Sequence, residues 1–232
     1  MAPSAKREPT PLSIRSAEDQ VYEALRDQIV HGLAPLSPLA LNDIASSLAV
    51  STMPVRGALR RLEAENLVIN RPRRGSVVAP LRTNDIEEIQ TMRCRLEGLA
   101  ALLGAPRVDA AGLAKMRSEL AGVNRAIVRK DLDAYVVHLR EFEEVVYSAA
   151  GWPRLQKLIE ELRRSAERYL RIAVGSGGDE VLSAKLWERF YAAVEAHDGP
   201  AAEQAIVAAL TWTLDRMRKT LDGELLSPSI AE

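Results

Sequence analysis

Long apolar runs are missing from this chain. No stretch approaches the roughly 18 residues that a bilayer-spanning helix needs, so a membrane partner is not expected. A single cysteine, Cys94, excludes an intrachain disulfide and fits a reducing compartment. Aromatic residues are scarce at 4%, and no alternation of strands with helices supports a nucleotide-binding sheet. The three histidines, His31, His138 and His197, share no spacing that would gather them on a metal. No nucleophile–base pair is visible, and an enzyme is therefore not expected. The opening residues lack the apolar segment of a secretory signal, so the expected location is the cytoplasm.

What is present is a balance of 47% hydrophobic and 27% charged residues, that of a globular chain. The net charge of −1 hides an uneven distribution. Residues 51–80 carry six arginines (Arg56, Arg60, Arg61, Arg71, Arg73 and Arg74) against two acids, Glu63 and Glu65. Residues 81–232 carry 21 basic and 24 acidic residues. A local basic patch on a nearly neutral chain is the footprint of one domain that meets phosphate.

Along the chain, residues 1–15 read as a disordered arm rich in Pro, Ser and charge. Ser16 is placed to cap a helix that ends near His31, with Val21, Leu25 and Ile29 on one face and Gly32 as terminator. A proline-containing loop over residues 34–38 follows. Two short helices, 42–48 and 52–66, are then separated only by Ala49, Val50 and Ser51, which is helix-turn-helix spacing. Residues 67–71 and 76–79 read as strands around the turn Pro72-Arg73-Arg74-Gly75, a basic-tipped wing. The first domain is thus expected over 16–80 and a linker over 81–84. The second domain, 85–221, has helical period throughout, in six segments near 85–104, 109–129, 131–149, 153–173, 180–197 and 200–221. Residues 222–232 form a tail. The expected fold is mainly α: a winged helix-turn-helix followed by a six- or seven-helix bundle.

The second short helix has two distinct faces. Val55, Leu59 and Leu62 fall within about 40° of one direction at 100° per residue, while Met53, Arg56, Gly57 and Arg60 turn to the other side. Ser51 is placed as its N-cap and Pro54 lies in the first turn, where a missing N–H is harmless. An exposed helix start accepts phosphate, and an arginine on such a helix can bridge guanine in the major groove. The bland alternative is a solvated basic face; the order helix, tight turn, capped helix and basic wing favours DNA.

The run Val50-Ser51-Thr52-Met53-Pro54-Val55-Arg56-Gly57-Ala58-Leu59-Arg60-Arg61-Leu62-Glu63-Ala64-Glu65-Asn66-Leu67-Val68 closely resembles the GntR family of regulators. Met92-Arg93-Cys94-Arg95-Leu96-Glu97 and Gly151-Trp152-Pro153-Arg154-Leu155 resemble its FCD branch. The resemblance implies a dimeric regulator, by default a repressor, with Arg56 as a DNA contact and Gly75 as the wing-tip glycine. Ser51, Thr52, Met53, Arg60, Arg73 and Arg74 complete the expected interface. Thr52, Met53 and Gly57 replace the usual arginine, threonine and glutamate, so the family's operator sequence does not transfer.

In the second domain, Ile86, Ile89, Met92, Leu96, Leu99, Ala100 and Leu103 form a broad apolar face that includes Arg93. A buried arginine must find an anion. That anion is either an internal carboxylate or a ligand's carboxylate, and the resemblance favours the ligand. FCD domains often hold a divalent metal with one aspartate and three histidines. Alignment puts Leu139, Glu143, Trp187 and Ala209 at those four positions, which removes the metal and leaves an expected ligand site of Arg93, Leu139, Glu143, Trp187 and Ala209. Glu143 either pairs with Arg93 or reads the ligand. No cofactor is expected. The expected partners are an inverted-repeat operator in double-stranded DNA, a second copy of the chain and a small organic acid. A DNA-binding protein with a ligand-blind sensor is the competing reading.

Overall fold

The computed structural model describes residues 16–71, 75–175 and 180–223. The expectations for the arm at 1–15, the wing tip at 72–74 and the tail beyond 223 fall outside these residues. The chain divides into two compact units, with the boundary between Ala79 and Pro80.

In the first unit, helix α1 (Ala17–His31) begins at a reciprocal capping box. The Asp19 amide donates to Ser16 Oγ at 3.1 Å, and the Ser16 amide donates back to the Asp19 carboxylate. Its buried face, Val21, Leu25 and Ile29 with Tyr22, packs against helix α3 (Thr52–Ala64) through Val55, Ala58, Leu59 and Leu62. Helix α2 (Leu41–Ser47) reaches α3 through a turn in which Ala49 adopts φ +53°. Asn66, two residues past the end of α3, has φ +57°; asparagine tolerates this left-handed geometry better than other side chains. The antiparallel hairpin of strands β2 (Val68–Arg71) and β3 (Gly75–Val78) pairs Val68 with Val78 and Arg71 with Gly75.

Strand β1 (Pro38–Leu39) forms where the sequence leads one to expect only the end of a loop. It is too short for any period to show and carries a proline, yet it completes a sheet of order β1-β3-β2. Flanking bonds hold it there: Leu36 N–H donates to Val78 O, and Val78 N–H donates to Ser37 O, both at 2.9 Å.

The second unit contains α4 (Thr83–Gly104), a short 3-10 turn (Ala105–Arg107), α5 (Ala110–Arg129), α6 (Leu132–Ala149), α7 (Pro153–Gly175), α8 (Glu180–Glu195) and α9 (Gly199–Leu221). Helix α4 starts two residues earlier than expected, which shortens the linker. It packs against α6, α7 and α9. Backbones come closest at Gly104, where an added Cβ would overlap the Val146 carbonyl, and at Gly199, where it would overlap that of Leu102. Glycine is the residue that permits such approach.

The buried face of α4 is rotated from the apolar stripe read in the sequence. Ile86 and Ala100 of that stripe are buried, beside Gln90, Arg93, Glu97, Gly98, Ala101 and Gly104, whereas Met92 is 39% exposed and Leu96, Leu99 and Leu103 are only partly covered. Hydropathy points away from a face that carries charge, so periodicity alone selects its greasier flank.

Candidate nucleic-acid interface and sensor cavity

In the first unit, Thr52, Met53, Arg56 and Arg60 are exposed on one side of α3, while Val55, Ala58, Leu59 and Leu62 are buried on the other. Among the described residues, no carboxylate pairs with Arg56 or Arg60. Arg61 is different: it bonds Asp19 at 2.6 Å and lies 4.0 Å from the centre of the Tyr22 ring. It therefore ties α3 to α1, and only the outward pair remains available. Ser51 holds the N-cap position in extended conformation, but its side chain makes no capping bond. Met53 is 74% exposed, a large apolar side chain at the start of this helix.

A groove of about 480 Å³ runs between α3 and the sheet, lined by Arg56, Arg60, Leu39, Asn70, Gly75 and Ser76 among others. Asn70 bonds Glu63 of α3 on one side and Ser76 of β3 on the other, which fixes the hairpin against the helix. Gly75 has φ +79° and opens β3, a geometry that suits glycine. Arg73 and Arg74 lie outside the described residues.

At the centre of the second unit is a cluster of four buried charges from three helices. Arg93 Nε donates to Glu97 Oε1 at 2.6 Å, and Arg93 Nη1 donates to Gln90 Oε1 at 2.8 Å. Gln90 in turn donates to the Leu210 carbonyl of α9. The Tyr147 hydroxyl donates to Glu97 Oε2 at 2.8 Å. Arg163, from α7, lies with Nε 3.6 Å from Glu97 Oε2 and forms a close ion pair with Glu143 of α6. Two guanidinium groups thus face two carboxylates, and the cluster is neutral, as buried charges must be.

Burial opposes ionisation of Glu97, but Arg93 and Arg163, with the bonds from Arg93 and Tyr147, hold its carboxyl below the usual range. Burial and the neighbouring Glu97 together push the Tyr147 hydroxyl well up.

Beside this cluster lies a cavity of about 50 Å³, partly open to solvent, to which Arg93, Leu139, Arg140, Glu143 and Arg163 contribute. Three of the five expected ligand-site residues therefore come together: Arg93, Leu139 and Glu143. Trp187 and Ala209 stand elsewhere, as packing residues in the hydrophobic core, where Trp187 meets Phe142 edge-on. The expected alternative of an Arg93–Glu143 pair is replaced by two crossed pairings, Arg93 with Glu97 and Glu143 with Arg163.

Glu97 and Arg163 are absent from the expected site, although the sequence carries a signal for each. Glu97 is four residues after Arg93 on the same helix face. Arg163 falls on the stripe of Leu155, Ile159, Ala166 and Leu170, the same anomaly that drew attention to Arg93.

These residues do not fit the metal common in FCD domains. Leu139, Trp187 and Ala209 offer no donor of the required kind, and the Glu143 carboxylate is already held by a guanidinium. His138, adjacent to the aspartate position, turns to α5, where Nδ1 lies 2.7 Å from Glu119 Oε2 and the ring packs on Gly122.

Residues 17–78 match the family described as bacterial regulatory proteins, gntR family, and residues 88–211 match the FCD domain. The chain is 32% identical to the HTH-type transcriptional regulator BphR of Paraburkholderia xenovorans, over 72% of each protein. It is 25% identical to the HTH-type transcriptional repressor RspR of Escherichia coli, over 86% of this chain and 88% of that one. Among solved structures, McbR/YncC of E. coli superposes with a TM-score of 0.77 at 22% identity, covering 90% of this chain and 100% of the other. With its winged helix-turn-helix and helical second unit, the chain belongs to the GntR family of transcriptional regulators, in the branch that carries an FCD domain.

Proposed function

We propose that the protein binds an inverted-repeat operator as a homodimer and that a small organic anion in the second unit sets its affinity for that operator, with repression as the output. The observation that carries the DNA reading is the unpaired, exposed pair Arg56 and Arg60 on α3, beside the groove closed by the hairpin. Arg56 is the base-reading residue, and Arg60, with Arg73 and Arg74 of the wing, meets phosphate. Ser51 Oγ, unused as a cap, serves a phosphate at the helix start, and Met53 offers apolar contact to a thymine methyl. Thr52 completes the exposed first turn and Gly75 lets the hairpin approach the backbone. The resemblance to a relative named as a repressor supports repression.

Selection of binding sites from a random duplex pool with the full chain tests this reading. An inverted repeat should emerge, and Arg56→Ala should weaken binding to it by about 1–3 kcal/mol. Undiminished affinity in a folded Arg56→Ala protein would overturn the role of this helix.

One observation favours the ligand-blind alternative. The centre of the second unit is already charge-neutral, and the adjoining cavity is only about 50 Å³. Melting of the full chain against a library of small acids separates the two readings, since a blind sensor shows no shift with any member.

A further inference from the structure

The basic stretch over 51–80 contains two acids, and both lie on or beside the helix that carries the outward arginines. Glu65 is occupied by α1, since it accepts the Tyr22 hydroxyl at 2.7 Å. Glu63 is the greater hazard to DNA binding. It is exposed on α3 three residues after Arg60, the spacing at which arginine and glutamate ordinarily pair on a helix surface. Such a pair would put a carboxylate on a cation that the duplex needs. Among the described residues Arg60 has no carboxylate partner. Glu63 instead accepts from the side-chain amide of Asn70 on β2.

Asn70 is oriented for that bond. An amide side chain can turn either its oxygen or its nitrogen toward a neighbour. Ser76, directly opposite on β3, donates its hydroxyl to Asn70 Oδ1, which leaves the NH2 group facing Glu63. The hairpin is anchored without these side-chain bonds. Leu67 N–H donates to Leu62 O and Ala79 N–H to Leu67 O, both at 2.9 Å, while Leu62, Leu67, Val68 and Val78 are buried in one cluster.

We propose that Asn70 is a positioning residue for DNA binding: it holds the Glu63 carboxylate away from Arg60 and so keeps that guanidinium free for a backbone phosphate. The proposal rests on the reading of α3 as the DNA-binding helix and names what keeps its second arginine available. Without Asn70, Glu63 turns to the cation on its own helix face, and a phosphate must displace it. An exposed pair of this kind is weak and is screened by salt. The penalty is therefore about twofold for each Arg60, about fourfold for a dimer that engages two half-sites, and it fades as salt rises.

The test is fluorescence anisotropy of a labelled random-sequence duplex with the full-length protein across a salt series, because non-specific binding reads the phosphate contacts directly. Asn70→Ala should bind about fourfold more weakly at low salt, with a shallower slope of log affinity against log salt. Glu63→Ala should bind no less tightly than the wild type. Added to Asn70→Ala, it should restore both affinity and slope. A plain tie between helix and hairpin predicts the opposite, with Glu63→Ala as weak as Asn70→Ala and the double variant no better than either. That pattern, or unchanged binding in Asn70→Ala, overturns the proposal and leaves the DNA reading standing. If the wild type binds no duplex at all, the DNA reading falls and takes the role of Asn70 with it.

Discussion

Replacing Glu97 by alanine is the sharpest perturbation of the second unit. The side chain is fully buried and serves Arg93, Arg163 and Tyr147 at once. Its loss leaves two guanidinium groups against the single carboxylate of Glu143, with the Tyr147 hydroxyl deprived of its acceptor. Removing one partner of a buried ion pair costs about 3–5 kcal/mol. The orphaned hydroxyl adds to this without full additivity, so about 4 kcal/mol is a fair working value. For a helical unit of this size, each kcal/mol moves Tm by about 2–4 °C, and the expected drop is therefore about 8–16 °C.

The same residue sets an acid limb. Burial pushes its carboxyl up, but the two arginines pull further, so its folded value lies below the ordinary 4.5. A carboxyl with a depressed folded pKa stabilises fully above its unfolded value and loses that contribution as pH falls through the folded one. The loss belongs below about pH 4.5 and should flatten in Glu97→Ala. Calorimetric melts at pH 7 and along a series down to pH 3 measure both effects. The paired change Glu97→Leu with Arg93→Met leaves the Arg163–Glu143 pair balanced and should recover more than half of the loss. A Tm drop under about 3 °C in Glu97→Ala, with an unaltered acid limb, would show that the cluster is not a stabilising unit.

Other outcomes are equally concrete. Gly104→Ala should cost about 1–3 kcal/mol, because the new methyl meets the Val146 carbonyl rather than a movable side chain; an unchanged melt counts against that contact. Ala49→Gly should stabilise the first unit by about 1 kcal/mol, since φ +53° strains alanine and not glycine; a lower Tm would show that the strain is not there. Replacing Arg73 and Arg74 together should reduce the slope of log affinity against log salt by up to about 2, and an equal slope would place the wing tip away from the duplex. Light scattering of the full chain at micromolar concentration should give twice its monomer mass, and a monomer refutes the paired half-site arrangement.

The recognition helix was legible in the sequence because its two faces obey simple rules: aliphatic residues at helical spacing inside, unpaired arginines outside. The second unit was less legible for a physical reason. Its centre is held by charge, and Gln90, Arg93 and Glu97 on α4 contribute nothing to a hydropathy pattern, so the apolar flank of Met92 and Leu96 drew the eye instead. Arg93 was visible as an anomaly, but its partner was not, since two carboxylates and two guanidinium groups admit two pairings and only three-dimensional placement chooses between them. Trp187 and Ala209 came from alignment to metal ligands; once the metal chemistry is gone, nothing requires those positions to face a cavity, and they pack the core. Strand β1 has two residues and takes its identity from β3.

The relation of Gly57 to Glu18 has a consequence for how this protein can change. A side chain at position 57 would start where the Glu18 carboxylate now lies, and that carboxylate also sits 4.0 Å from Arg61. Glycine in mid-helix costs about 1 kcal/mol relative to alanine, so there is a standing advantage to filling the position. Alanine can claim it if Glu18, a flexible surface side chain, swings aside. Glutamate, the family's usual residue there, would bring a second carboxylate to the same spot. The order of substitutions then matters: exchange at position 18 opens the route to glutamate at position 57, and the reverse order passes through two crowded negative charges. Two residues on different helices are thereby coupled, and glutamate at position 57 is reached most easily once position 18 has changed.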